Sequence, residues 1–265
     1  MLGLHRLAQA LRSNDSAAPL CAAPLGSEAD YLRLWEDAKS KTYPEIDEYE
    51  QERGAAIDRE WFDQLALLTQ VVIKRSSICY QHGRVLYAAL SRYLRDRNNQ
   101  HLNIVETGTA RGFSTLCMAR ALWDAGASGK IASFDVLPHG EAMYWNCYRD
   151  VDGPRTRADL LSDYTELIER YVVFHRGDTR KLAHVSIPRV HVAFLDSVHT
   201  YDHVVAEHAA IRGRQHAGDV LVFDDYSAAY PGVVKAADEI CHTYAYTSKC
   251  IAVSASRRYL VAEKQ

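Results

Sequence analysis

The chain has 265 residues, 48% hydrophobic and 25% charged, the balance of a water-soluble globular protein long enough to bury its own core. A formal net charge of -3 and a pI of about 6.5 give no electrostatic reason to expect a nucleic-acid partner, because phosphate binding needs a basic face. Cys21, Cys79, Cys117, Cys147, Cys241 and Cys250 are scattered, with no C-x-x-C pair and no zinc spacing, and read as reduced thiols of a cytoplasmic protein.

At the N-terminus no apolar run is long enough for a signal peptide or a membrane span, so no membrane partner is expected. Leu2, Leu4, Leu7, Ala8 and Leu11 have the spacing of a short amphipathic helix packing on its own protein. Residues 13–28, rich in Ser, Ala, Pro and Gly, read as a loop. From Glu28 to about Arg97 the chain reads as helices, with Trp61, Leu65, Leu68, Val72 and Ile73 on one stripe and Val85, Leu86, Ala89, Leu90 and Tyr93 on another. Residues 1–79 are expected to form a helical cap and residues 80–265 the main domain. The cap is also where a homo-oligomer contact would fall.

From Leu102 short apolar runs alternate with helical stretches. The runs are Leu102 to Val105, Ile131 to Phe134, Tyr171 to Phe174, Val190 to Leu195 and Asp219 to Phe223. Helical stretches are expected at Phe113 to Trp123, Ala158 to Glu169, Asp202 to Gln215 and Gly232 to Tyr244. This alternation predicts parallel strands joined by right-handed crossovers, and the nearly all-apolar strands predict a sheet covered on both faces. Cys250 to Ser254 and Arg257 to Glu263 are separated only by Ala255-Ser256, too short for a crossover, so they should form an antiparallel hairpin. The expected fold is α/β: a Rossmann-like, seven-stranded, mostly parallel sheet with a terminal antiparallel hairpin and an N-terminal helical cap.

The segment Val105-Glu106-Thr107-Gly108-Thr109-Ala110-Arg111-Gly112-Phe113-Ser114 closes the first strand and opens a helix. A glycine at 108 permits a backbone shape closed to other residues and a close ligand approach, and Gly112 suits a helix start packed on the strand. A dinucleotide fingerprint wants G-x-G-x-x-G, but Ala110 stands at the second glycine. Glu106 would repel a pyrophosphate and suits a ligand carrying an ammonium or sulfonium cation. Glu106, Gly108, Thr109, Gly112 and Ser114 are therefore the candidate cofactor loop. Asp135 ends the second strand, where an acid can bind both ribose hydroxyls. Asp178 follows the third strand; it suits the adenine amino group and equally a helix N-cap.

On these residues the chain resembles class I S-adenosylmethionine-dependent methyltransferases, over about residues 80 to 263. The resemblance implies S-adenosylmethionine as the cofactor, with Asp135 and Asp178 where its ribose and adenine contacts belong. Ala110 is the departure from the glycine pattern.

The fourth strand ends at Asp196, within Leu195-Asp196-Ser197-Val198-His199-Thr200-Tyr201, and the fifth at Asp224-Asp225-Tyr226. Strand carboxyl ends form the ligand crevice of an open parallel sheet, so Asp196, Asp224 and Asp225 should converge beside the cofactor. Gathered carboxylates repel unless a cation lies between them, and oxygen ligands favour Mg²⁺. The two stretches resemble the metal-dependent macrocin O-methyltransferase and cephalosporin-hydroxylase-like group, whose fourth strand reads D-G-D-H-S-Y and whose fifth reads F-D-D-Y. Asp196, His199 and Tyr201 match, whereas Val198 replaces an acid. Catechol-type enzymes place a lysine base near this position, which makes His199 the candidate base, with Asp196 beside it as catalytic partner and cofactor contact.

Tyr43, Tyr49, Trp61, Tyr80, His82, Tyr144, Trp145, Tyr226 and Tyr230 are candidate acceptor contacts. The expected reaction is O-methylation of a small-molecule acceptor, a sugar or a phenolic compound. Two rivals are a nicotinamide-dependent oxidoreductase and a non-catalytic S-adenosylmethionine-binding protein. The first is opposed by the loop glycines, Glu106 and the terminal hairpin, the second by retention of the acidic trio.

Overall fold

Order along the chain begins with capped helices. The structure, a computed structural model, describes residues 21, 23–97, 101–254 and 256–265; the helix expected over the first dozen residues and most of the loop after it lie outside them. Helix α1 (Glu28–Lys39) starts at Ser27, whose hydroxyl and the Asp30 carboxylate satisfy each other's backbone amides in a capping box. Helix α2 (Pro44–Arg53) opens on proline and stops at Gly54 in the left-handed region. Helix α3 (Arg59–Thr69) is capped by Asp58, and α4 (His82–Asp96) buries Val85, Leu86, Ala89, Leu90 and Tyr93.

The sheet follows in the order β3-β2-β1-β4-β5-β7-β6. Its strands are β1 (Leu102–Thr107), β2 (Gly129–Asp135), β3 (Val172–Arg176), β4 (Val192–Leu195), β5 (Val220–Phe223), β6 (Tyr246–Ala252) and β7 (Arg258–Lys264). The first five are parallel, and β7 runs antiparallel between β5 and β6. Strand order reverses between β1 and β4, which opens a crevice at their carboxyl ends. Helices α5 (Phe113–Asp124), α8 (Tyr201–Ile211) and α9 (Pro231–Thr243) lie near their expected bounds.

One stretch differs from expectation. The helix expected from Ala158 to Glu169 is broken into a single turn, α6 (Arg157–Leu160), a 3-10 turn (Ser162–Tyr164) and α7 (Thr165–Tyr171). Leu161 leaves helical geometry at ψ +17°, and the following Ser-Asp-Tyr has little helical propensity to restore it. The β3–β4 connection carries a 3-10 helix (Thr179–His184).

Side-chain alternation along the strands splits the core between two faces. Ile104, Val192, Phe194 and Val222 join the cluster built with α2, α3, α4 and α5. Val105, Ala193, Leu195 and Phe223 join the cluster built with α8 and α9. The N-terminal helices thus share a continuous core with the sheet. Among the described residues no helix is long and apolar enough to cross a membrane.

Candidate functional site

The crevice is built first by the β1 loop. Gly108 has φ +91°, and a β-carbon there would meet the Asp196 carbonyl oxygen at 1.9 Å. Glycine at 108 therefore lets the cofactor loop lie directly on the end of β4. Gly112, also at φ +91°, starts α5, and a β-carbon there would press on Leu161 at 2.8 Å. Thr109 is buried, its hydroxyl 2.5 Å from that of Ser133.

Glu106 is wholly buried and accepts hydrogen bonds from the hydroxyls of Ser114, Thr115 and Ser133. Burial raises its pKa against those hydrogen bonds. The expectation that Glu106 faces a cationic ligand is corrected here: its carboxylate is caged inside the sheet edge, and Ser114 is part of the cage. Glu207, on α8, is caged in the same way by Thr107, Thr179 and Ser197.

Asp135 closes β2 beside this loop and is nearly buried. Its Oδ2 accepts the Ala110 amide at 2.6 Å and its Oδ1 the Leu137 amide at 2.8 Å. Burial raises its pKa, while Arg157 and the amides oppose the rise. Asp178 takes the capping role of its two readings: it caps the 3-10 helix through the Arg180 amide and is gripped by the Arg180 guanidinium, whose hydrogen bond lowers its pKa to about 2.

At the ends of β4 and β5, Asp196, His199 and Asp225 bring ligand atoms within 4.8 Å of one another. His199 Nε2 lies 2.9 Å from Asp196 Oδ1 and 3.5 Å from Asp225 Oδ2. Both His199 and Asp225 sit in the left-handed region, at φ +50° and +51°, a strained setting for residues with side chains. Asp224 does not join them, contrary to the expected acidic trio. It is buried, its Oδ2 bound to Arg257 Nη2 at 2.8 Å and its Oδ1 to the Asp225 amide at 2.7 Å. A guanidinium in direct contact satisfies its charge, and His199 completes the convergent group in its place.

Burial alone would lower the His199 pKa. The Asp196 hydrogen bond and the charges of Asp196, Asp225 and Asp224 outweigh it and carry the pKa up to about 9. Burial and the Asp224 charge raise Asp196. Tyr230 lies against His199, ring centres 4.9 Å apart, and both line a shallow cleft of about 510 Å³ with Thr200 and Pro231.

Of the other aromatic candidates, Tyr43, Tyr49, Tyr80, His82 and Trp145 are buried, and Trp61 packs edge-on against Tyr164. Tyr144 bridges to Cys21, and the Tyr226 hydroxyl donates to Asp238. Sequence reasoning missed Arg257, Lys74 and Arg157. Lys74 comes from the α3–α4 loop; burial and Arg257 lower its pKa while the Asp225 charge opposes them. No motif marks these cations, because each comes from an element distant in sequence from the groups it acts on: the α3–α4 loop for Lys74, the start of a helical turn for Arg157 and the residue before the last strand for Arg257.

Residues 105–226 match the family described as "Methyltransferase domain". No curated protein matches the chain. Among solved structures it is similar to the O-methyltransferase NovP, with 16% identity and a TM-score of 0.54 over 72% of this chain and 82% of that one. It is similar to the O-methyltransferase TomG from Streptomyces achromogenes, involved in tomaymycin synthesis and solved with SAM, with 17% identity and a TM-score of 0.53 over 79% and 92%. An O-methyltransferase from Bacillus cereus, solved with SAH, has 13% identity and a TM-score of 0.51 over 90% and 98%. At such identities the likeness is one of fold.

Proposed function

We propose that this chain, a class I methyltransferase by fold whose residues 105–226 are a methyltransferase domain, moves the methyl group of S-adenosylmethionine to a hydroxyl oxygen of a small molecule, with Mg²⁺ as helper. The acceptor class is a sugar or a phenolic compound. The observation that carries the reading is the convergence of Asp196, His199 and Asp225 on the strand ends against which the Gly108 loop is packed.

S-adenosylmethionine supplies a methyl already activated on a sulfonium centre. The Asp196, His199 and Asp225 ligand atoms lie close enough together to hold one cation, and Asp196 and Asp225 would hold it. When bound, a cation lowers the pKa of a nearby hydroxyl by several units. His199 is the base. Asp196 fixes the ring through Nε2, which leaves Nδ1 as the nitrogen to take a proton. A proton taken at Nδ1 leaves an imidazolium beside two carboxylates; those charges alone hold the ring protonated at neutral pH, so it would act as a base only with their charge offset by the cation they would hold. Asp135 is the candidate anchor for the ribose hydroxyls. The remaining contribution is positioning of the two reactants.

The net charge of -3 argues against a nucleic-acid partner, and the free thiols fit a cytoplasmic setting. A nicotinamide oxidoreductase is disfavoured by the antiparallel β7 between β5 and β6. Calorimetry with S-adenosylhomocysteine, then turnover on a panel of sugars and phenols with Mg²⁺ or EDTA, tests the reading. Absence of binding under any condition overturns it. Binding without turnover leaves a non-catalytic cofactor-binding protein, and full turnover in EDTA removes the cation alone.

A further inference from the structure

Ala110 stands where the glycine pattern has its middle glycine, and its backbone is left-handed, at φ +44°. A β-carbon makes that conformation unfavourable, so something must hold it. Two groups do. The Ala110 amide donates to Asp135 Oδ2 at 2.6 Å, and its carbonyl accepts from Arg157 Nε at 2.9 Å.

Arg157 is an unusual choice for a loop fastener. It is 1% exposed, and among the described residues neither Nη1 nor Nη2 has a hydrogen-bond partner. The guanidinium lies over the rings of Trp145 and Phe174, at 5.4 and 5.5 Å, with Asp135 Oδ2 3.9 Å from Nη2. Burial lowers its pKa to about 10, so it remains a cation at neutral pH. Ring faces and a nearby carboxylate offset part of the desolvation cost of a buried charge. Among the described residues, the one directed hydrogen bond that its side chain makes goes to Ala110.

The geometry points to Arg157 as a positioning residue that, together with Asp135, holds Ala110 in the left-handed shape glycine would adopt unaided, and so sets the cofactor loop. Arg157 opens α6, inside the β2–β3 connection, and the Trp145 indole donates to the Arg155 carbonyl at 2.8 Å. The connection is thereby tied to the loop at the Ala110 backbone, beside a second tie in which Arg111 Nε donates to the Trp145 carbonyl at 2.6 Å. The inference rests on the proposed cofactor reading for its effect on binding, but not for its effect on the loop.

The test is S-adenosylhomocysteine calorimetry on the wild type, Arg157→Lys, Ala110→Gly and the double variant. Lysine keeps the charge but lacks the Nε–H. The expected loss on Arg157→Lys is about tenfold with Ala110 present and less than about threefold on the Ala110→Gly background. Equal losses on both backgrounds overturn the inference. Ala110→Val, which leaves Arg157 in place, should weaken binding by at least about tenfold, because a β-branched residue resists the left-handed region. Wild-type affinity in that variant also overturns the inference. Hydrogen exchange of a peptide spanning residues 106–113 in cofactor-free protein reads the clamp independently. Exchange should quicken about tenfold in Arg157→Lys and unchanged exchange refutes the clamp. If the wild type binds no S-adenosylhomocysteine, the proposed function fails and the exchange result alone decides the clamp.

Discussion

Arg257 and Asp224 form an ion pair, Nη2 to Oδ2 at 2.8 Å, in which a half-buried residue just before the last strand neutralises a buried acid just after the fifth. Removing one partner of such a pair leaves an uncompensated charge in a dry site. Arg257→Met should therefore destabilise the fold by about 3–5 kcal/mol, read as a lower urea midpoint. Adding Asp224→Asn should recover much of the loss, because the stranded charge disappears. If Arg257→Met unfolds at the wild-type midpoint, the pair contributes no stability.

Gly108→Ala and Gly112→Ala should rank in that order of damage. At 108 the new carbon would strike backbone, the Asp196 carbonyl at 1.9 Å, which cannot rotate away. At 112 it would meet the end of the Leu161 side chain at 2.8 Å, which can move. Both carry the left-handed penalty of about 1–2 kcal/mol. Thermal unfolding should show a clearly larger drop for Gly108→Ala; equal drops would mean that β4 yields to the loop.

Asp135→Ala should weaken S-adenosylhomocysteine binding by about 10- to 100-fold, measured by calorimetry. The carboxylate is the proposed ribose contact and holds the Ala110 and Leu137 amides, so the expected loss combines a missing contact with a loosened loop. Undiminished affinity in Asp135→Ala would remove it from the cofactor site.

The succession of strands along the chain and the strand ends carrying Asp135, Asp196 and Asp225 were legible because apolar runs, turn residues and helical periodicity agree from Leu102 onward. The break at Leu161 was not, since residues 158–169 keep a helical pattern and only the local geometry interrupts it. Asp224 and Asp225 are adjacent and alike in sequence; what separates them is Arg257, a contact across 33 positions that no local pattern announces. Glu106 was placed at the right spot but facing the wrong way. Its fate depends on hydroxyls from α5 and β2, which only the folded sheet brings together.

His208 makes the fold sensitive to acid. It is buried against Tyr244 and Tyr246, and burial, then Lys264 and Arg212, lower its pKa from 6.5 to about 4. The unfolded chain binds this proton at a higher pH than the folded one. The stabilisation is therefore complete above pH 6.5 and is lost as the pH falls toward 4, on the order of 3 kcal/mol in all. His208→Gln should flatten that part of the stability profile, measured by urea unfolding between pH 4 and 7. An unchanged slope would show that other groups dominate it.

The two caged glutamates have a consequence for how binding energy is distributed. Glu106 joins β1 to α5 and β2, while Glu207 joins α8 to β1, the 3-10 helix after β3 and the loop after β4. Together they lace the carboxyl edge of the parallel sheet from within, using protein hydroxyls instead of ligand atoms. The floor of the crevice is thus preorganised before anything binds, and little ordering entropy has to be spent there on association.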